Sequence, residues 1–356
     1  MIPPCEQREL SMKVLLTVAA TMTAALAAIP AHAGPVMDEI VSSDKVICLV
    51  NPNSPGFSVA DSEGVFHGFN TDFCRMAAAA ILGDAEKADM RGVGFSDALK
   101  TLVAGGGHMA SRSITQTGTR DADPGLSFVV TTFYDGQGFM VPTSLGVNSA
   151  RELGGATICA EDGSTTLMNI ADWFTDQDIE YRLENIADKT ARLEAFFSGK
   201  CDVYASDITA LFSDRLLSNA PLDYKILPEV ISAEPLTLVT RPDKTFETVL
   251  FWAFQVMLNA DHFGINSTNI DEVVATLPDQ PKAIYRLFAD DSATVDMARN
   301  LGIPEDWAYQ VIKQVGSYSE VFDRNLGRKT VFGVELNDTS NALTRDGGQM
   351  FAYPIR

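Results

Sequence analysis

An α/β protein of two similar lobes is predicted by three features of this sequence. Apolar strand-like runs alternate with amphipathic helical patterns through residues 45–240, the order that packs helices against mostly parallel sheets. The alternation occurs twice: residues 95–111 and 192–206 each read helix, glycine-containing break, strand, then polar residues. Two crossing strands, near residues 139–142 and 236–241, connect the halves and would form a hinge. The expected division is a leader over 1–33, a discontinuous first lobe from 34–138 and 240–356, and a second lobe from 139–239.

The elements follow in order. Residues 45–50 (KVICLV) form a nearly continuous apolar run, as in a strand buried on both faces. Residues 57–59 and 65–69 read as a short hairpin around Asp61-Ser62-Glu63-Gly64. Thr71 is placed to cap a helix beginning at Asp72, with Phe73, Met76, Ala77, Ala80 and Ile81 on its apolar face and Gly83 at its end. Residues 95–103 form a second amphipathic helix, closed by Gly105-Gly106-Gly107. A polar stretch follows, Ser111-Arg112-Ser113-Ile114-Thr115-Gln116-Thr117-Gly118-Thr119-Arg120, and it reads as a loop. It holds five hydroxyls, an amide and two guanidiniums, a density of donors that suits a small anion. Further strands are expected at 126–132, 136–141, 156–160, 181–184, 202–206, 226–230 and 236–239, and helices at 167–174, 189–197 and 208–217. A long apolar helix at 246–258 and amphipathic ones at 307–315 and 318–326 return to the first lobe.

Composition narrows the function. The chain has 356 residues, 46% of them hydrophobic and 21% charged, which suits large cores and a globular fold. Acidic residues outnumber basic ones 47 to 27, a net charge of −20. Nucleic acid would be repelled, and no basic stripe offers an exception. Lys13, the apolar run 14–28, the helix-breaking Pro30 and Ala31-His32-Ala33 form an export leader. Met12 is the expected start and cleavage is expected after Ala33, placing the protein in a periplasm or outside the cell. The apolar run is short for a membrane span.

Cys5 falls in the leader and Cys48, Cys74, Cys159 and Cys201 remain. An even number in an oxidising compartment suggests two disulfides, with buried free thiols as the alternative. Three pairings exist. Cys48–Cys74 with Cys159–Cys201 is favoured because each pair then lies within one lobe. None of the four histidines has a helical partner at metal-ligand spacing, and no nucleophile elbow or phosphate-binding glycine loop occurs. No cofactor is expected.

Several blocks, in order, carry a family likeness: Pro55-Gly56-Phe57-Ser58, Gly68-Phe69-Asn70-Thr71-Asp72-Phe73-Cys74, the polar stretch above, Tyr134-Asp135-Gly136-Gln137-Gly138-Phe139, Gly199-Lys200-Cys201-Asp202-Val203-Tyr204, Leu227-Pro228-Glu229-Val230 and Asp306-Trp307-Ala308-Tyr309. From Lys45 onward the chain resembles the extracytoplasmic amino acid-binding proteins of ABC transporters, above all the general L-amino acid receptors. The resemblance implies a type II periplasmic binding protein: two α/β lobes on a two-stranded hinge, closing on an L-amino acid. It implies delivery to an inner-membrane permease by a monomer that catalyses nothing.

The resemblance also implies roles. Arg120 would clamp the ligand carboxylate, with Ser111, Ser113 and Thr115 in support. Arg112 would be a rival clamp or a reader of an acidic side chain. Ser164 and Thr165 would donate from a helix start to the same carboxylate, Asp207 would hold the ammonium, and Asn51 and Phe57 would shape the side-chain pocket. Each has a plainer alternative: Asp207, Ser164 and Thr165 as helix caps, Arg120 paired with Asp121 or Asp123 on the surface. Gln116 departs from the aromatic common at its place, the aromatic often found near Ser54 is missing, and His108 stands where an aspartate is usual. The competing functions are a periplasmic dehydratase of a small carboxylic acid on the same fold, and a sensor module.

Overall fold

Two five-stranded sheets of matching topology organise the described residues, 34–356 of a computed structural model. The leader, with Lys13, His32 and the expected cleavage after Ala33, lies outside them. Helix α1 (Pro35–Ser43) precedes β1 (Val46–Val50). Then come the small strands β2 (Asn53–Ser54), β3 (Ser58–Ala60) and β4 (Phe66–His67), helix α2 (Phe69–Leu82), β5 (Ala88–Gly92), α3 (Phe95–Val103) and β6 (Met109–Thr115). A single turn, α4 (Gly118–Asp121), leads to β7 (Ser127–Asp135) and β8 (Gln137–Pro142). The second lobe continues with β9 (Thr157–Ala160), α5 (Thr165–Asp176), β10 (Arg182–Asn185), α6 (Lys189–Phe197), β11 (Val203–Asp207), α7 (Ile208–Arg215) and β12 (Tyr224–Ile226). The chain returns through β13 (Glu234–Thr240) and α8 (Lys244–Phe263). It ends in α9 (Ile270–Ala275), α10 (Lys282–Phe288), α11 (Ala293–Leu301), α12 (Trp307–Gln314) and α13 (Tyr318–Asn325), followed by short turns.

The first sheet runs β5-β1-β6-β13-β7 and the second β10-β9-β11-β8-β12. In each, the first three strands pair in parallel, the fourth runs against them, and the last pairs antiparallel to the fourth. The chain leaves the first sheet at Asp135, enters the second at Gln137, and returns between Ile226 and Glu234. Two short crossings, side by side, make a pivot that lets lobes move with few backbone torsions.

Local chemistry explains the corrections to the sequence reading. Thr71 does not cap α2. The helix starts three residues earlier, at Phe69 with Gly68 as its N-cap, and the Thr71 hydroxyl donates back to the Gly68 carbonyl at 2.7 Å. Gly68 takes φ 136° and passes so close to Phe57 that a Cβ would lie 2.4 Å from its carbonyl, so only glycine fits. The polar stretch is not a loop throughout: residues through Thr115 form the buried central strand β6. Strand β5 carries no clear apolar periodicity, and neither it nor helix α1, which buries Val36, Met37 and Ile40, was expected.

Both favoured disulfides are formed, Cys48–Cys74 and Cys159–Cys201, closing separations of 26 and 42 residues. Each ties a sheet strand to the segment packed against it in its own lobe. Chain entropy assigns loops of this length about 3–4 kcal/mol each. Denaturant titration with and without reductant should show a loss of that order per bond. His108 is structural: it is 3% exposed, its Nδ1 accepts from the Ile47 amide at 2.9 Å, and burial holds it down to about 4, against the opposing pull of Glu39.

Candidate functional site

The two sheets point the ends of β6 and β11, and the start of α5, at a cleft beside the hinge. The lobes meet across it. Lys189 on α6 donates to the Asn53 carbonyl at 2.9 Å, and the Ser213 hydroxyl of α7 donates to the Pro55 carbonyl. They enclose an inner cavity of about 70 Å³ lined by Arg112, Ser113, Thr115, Ser164, Thr165 and Asp207, among others. A larger cavity of about 430 Å³ adjoins it, sharing Asn51, Phe95, Arg112, Glu161 and Lys189.

Nine of the ten residues nominated from sequence line the inner cavity or stand beside it. Asn51, Phe57, Arg112, Ser113, Thr115, Ser164, Thr165 and Asp207 line it. Arg120 stands behind Thr115: its Nη1 donates to the Thr115 carbonyl at 2.8 Å, and its guanidinium lies 5.3 Å from the centre of the Phe95 ring. Ser111 is the exception. It is 1% exposed and its hydroxyl donates to the Asn70 carbonyl at 2.8 Å, a bond that ties β6 to α2. Alternation along a strand places it opposite Arg112. Gln116 is not among the lining residues; its amide bonds the Pro235 carbonyl at 3.0 Å in the sheet.

Ser113 is the one strained residue here, at φ 58°, a region disfavoured for side-chain-bearing residues. The Asn70 amide donates to its hydroxyl at 3.1 Å, which holds the turn of the strand open toward the cavity.

The two arginines differ in their partners. Arg112 is 4% exposed, lies 4.9 Å from the Phe95 ring centre, and keeps Nε and Nη1 without a hydrogen-bond partner among the described residues. Burial pulls its guanidinium down to about 10, opposed by Glu161 and helped by Arg120. A buried cation with idle donors is costly unless an acceptor arrives. Arg120 faces anions instead: burial lowers it, while Glu234 and Asp207 pull it back up. It makes no ion pair with Asp121 or Asp123 among the described residues.

The second lobe supplies the complement. Ser164 occupies the N-cap position of α5 and its side chain caps nothing; it donates instead to the Glu161 carbonyl at 2.7 Å. The first amides of α5 are therefore left toward the cavity, where a helix start favours negative charge. Asp207 likewise occupies the N-cap position of α7 without a side-chain cap bond. Its side chain lines the cavity instead.

Several lining residues escaped the sequence reading. Lys189 pairs with Asp214 at 2.6 Å, Tyr204 donates to the same carboxylate at 2.8 Å, and Arg192 pairs with Glu161 at 3.3 Å. This chain of pairs crosses α6, β11 and α7 and stiffens the lobe-two wall. Phe95, the platform for both arginines, looks in sequence like the first apolar residue of a helix.

The cavity thus has hydrogen-bond donors on one side, the Asp207 carboxyl on the other and the hinge behind. Comparison with known proteins gives the same lineage. No family model matches the chain. The chain is 38% identical over 335 residues to the glutamate/glutamine/aspartate/asparagine-binding protein BztA of Rhodobacter capsulatus, covering 93% of this chain and 97% of that one. It is 36% identical to the general L-amino acid-binding periplasmic protein AapJ of Rhizobium johnstonii, over 90% of this chain and 92% of that one. Among solved structures, an ABC transporter periplasmic binding protein from Brucella ovis with glutathione bound is 34% identical, covers 91% of this chain and all of that one, and superposes with a TM-score of 0.85. The chain belongs to the family of amino acid-binding proteins of ABC transporters.

Proposed function

We propose that this protein captures an L-amino acid with an oxygen-bearing side chain between its lobes and hands it to an inner-membrane permease. The ligand carboxylate would sit between Arg120 and the start of α5 at Ser164 and Thr165, and its ammonium on Asp207. Arg112 would read the side chain. The observation that carries this reading is the pair of buried, idle Arg112 nitrogens beside the inner cavity. Glutamate, glutamine, aspartate and asparagine each bring an acceptor oxygen to that place; alanine and leucine do not. The mature chain would begin at Gly34 and act as a monomer in the periplasm. The relatives are binding proteins, and the dehydratase alternative draws no support from them.

A panel of L-amino acids screened by thermal shift tests the reading. The four oxygen-bearing ligands should raise the melting temperature most, since a ligand that binds only the folded state stabilises it by mass action. Equal shifts with alanine and leucine would remove the role given to Arg112.

A second reading concerns ligand length. The adjoining 430 Å³ cavity shares Arg112 and Lys189 with the inner one. That space favours a ligand extended through its side chain, such as the γ-linked peptide glutathione. Glutathione belongs in the same panel, where a shift larger than that of glutamate would establish the longer ligand.

A further inference from the structure

The hinge carries a concentration of negative charge that the assigned roles do not explain. Asp135 ends β7 and Glu234 begins β13, and the two are direct cross-strand partners. Like charges directly opposite each other on paired strands repel. Asp207 joins them from the second lobe: it pairs with Gln137 in register, and the next residue, Ile208, donates its amide to the Gly136 carbonyl at 2.7 Å. Three carboxylates from three strands thus converge where the chain crosses between lobes.

Their partners are unequal. Glu234, 2% exposed, accepts from Ser232 at 2.6 Å and from Asn169 at 2.8 Å, and from Thr165 at 3.3 Å. Asp135 accepts from the Gly136 amide at 2.8 Å and from the Thr209 hydroxyl. Asp207 lacks a cap bond. Asp135, Glu234 and Glu161 act on Asp207 from the packed elements, opposed by Arg120; Arg112, Lys189 and Arg192 line the same cavity. No group of three or more His, Cys, Asp or Glu among the described residues is arranged to hold a metal ion. A separate observation points to a ligand here: Arg112, 4% exposed with two idle nitrogens, lines the same cavity as Asp207.

We propose that Asp135 and Asp207, crowded by Glu234 at the hinge, hold a proton between them in the empty cleft and release it when the ammonium group of a ligand takes its place. Amino acid capture is then coupled to proton release, and a protonated amine is a requirement for tight binding. The inference rests on the reading of the cleft as an amino acid site. The direction of titration agrees with it. Burial, followed by Asp135, Glu234 and Glu161, holds Asp207 well above the usual carboxylate range, with Arg120 opposing. Burial pushes Asp135 up to about 6, with Glu234 adding and the Thr209 and Gly136 bonds opposing. A carboxyl raised in this way keeps its proton at pH values above the usual carboxylate range, where an ordinary carboxyl has already ionised. A ligand cation favours the ionised form, so affinity falls as pH drops, by up to about tenfold per pH unit for each proton exchanged.

Calorimetry on the mature protein tests this directly. L-glutamine, which has no titrating side chain, is injected near pH 6 in two buffers of different ionisation enthalpy. If L-glutamine gives no heat, the uncharged amino acid with the largest thermal shift replaces it. The expected result is release of between about half a proton and one proton per ligand bound. Asp135→Asn should lower that number, since it removes the repulsion that keeps the proton in place. Binding with no proton exchange would overturn the proposal while leaving the amino acid site intact, and so would unchanged release in Asp135→Asn. If no uncharged amino acid binds, L-glutamate, whose side chain is already ionised at this pH, takes its place; failure of every amino acid to bind would overturn the amino acid reading itself, and the proton coupling with it.

Discussion

Arg120→Ala should weaken the binding of every amino acid ligand by about 3–5 kcal/mol, a hundredfold or more in Kd. The size follows from what the substitution strands. A ligand carboxylate then keeps only the helix-end amides of α5 as close partners, and Asp207 and Glu234 lose the positive charge that Arg120 sets against them. Repulsion between the ligand carboxylate and these anions then goes unopposed. The loss should be uniform, because every amino acid has the same head group. Calorimetry with glutamine and alanine would check this. Unchanged affinity would transfer the head-group clamp to Arg112.

Arg112→Met should behave differently. Its effect on a ligand depends on the side chain: about 2–3 kcal/mol for glutamate or glutamine, and little for alanine. The same substitution should leave the ligand-free protein as stable as before or more so. It replaces a buried cation that lacks partners for Nε and Nη1 with an apolar chain that still packs on Phe95, an exchange that is often neutral or stabilising. Lost selectivity together with a retained or raised melting temperature would be hard to explain by misfolding. The two arginine variants therefore separate head-group binding from side-chain reading.

Much of this was legible locally. Residues 95–103 and 189–197 stand out as helices because breakers and caps bound them: Gly94 and the Gly105-Gly106-Gly107 break for the first, Asp188 and Ser198-Gly199 for the second. Asp188 accepts from the Ala191 amide at 2.8 Å, as an N-cap should. Buried strands such as β1 and β8 show as continuous apolar runs for the same reason: they have no solvent face. The cysteine pairs follow from lobe membership.

What escaped notice depends on contacts between distant residues. Strand β5 (ADMRG) is a half-exposed edge that pairs only with β1, so its pattern is weak. Asp135 and Glu234 are 99 residues apart and meet only through the register of the hinge strands. Lys189, Tyr204 and Asp214 become one network only when α6, β11 and α7 pack together. Ser111 illustrates the converse: its place in a donor-rich stretch suggested ligand contact, and strand alternation turned it toward α2 instead.

The most direct measurement is a crystal structure of the mature protein with the best-binding amino acid from the thermal-shift panel. The account predicts a ligand enclosed between the lobes, its carboxylate on Arg120 and the start of α5, its ammonium on Asp207 and its side-chain oxygen on Arg112. A ligand bound outside the cleft, or one whose ammonium points away from Asp207, would contradict it.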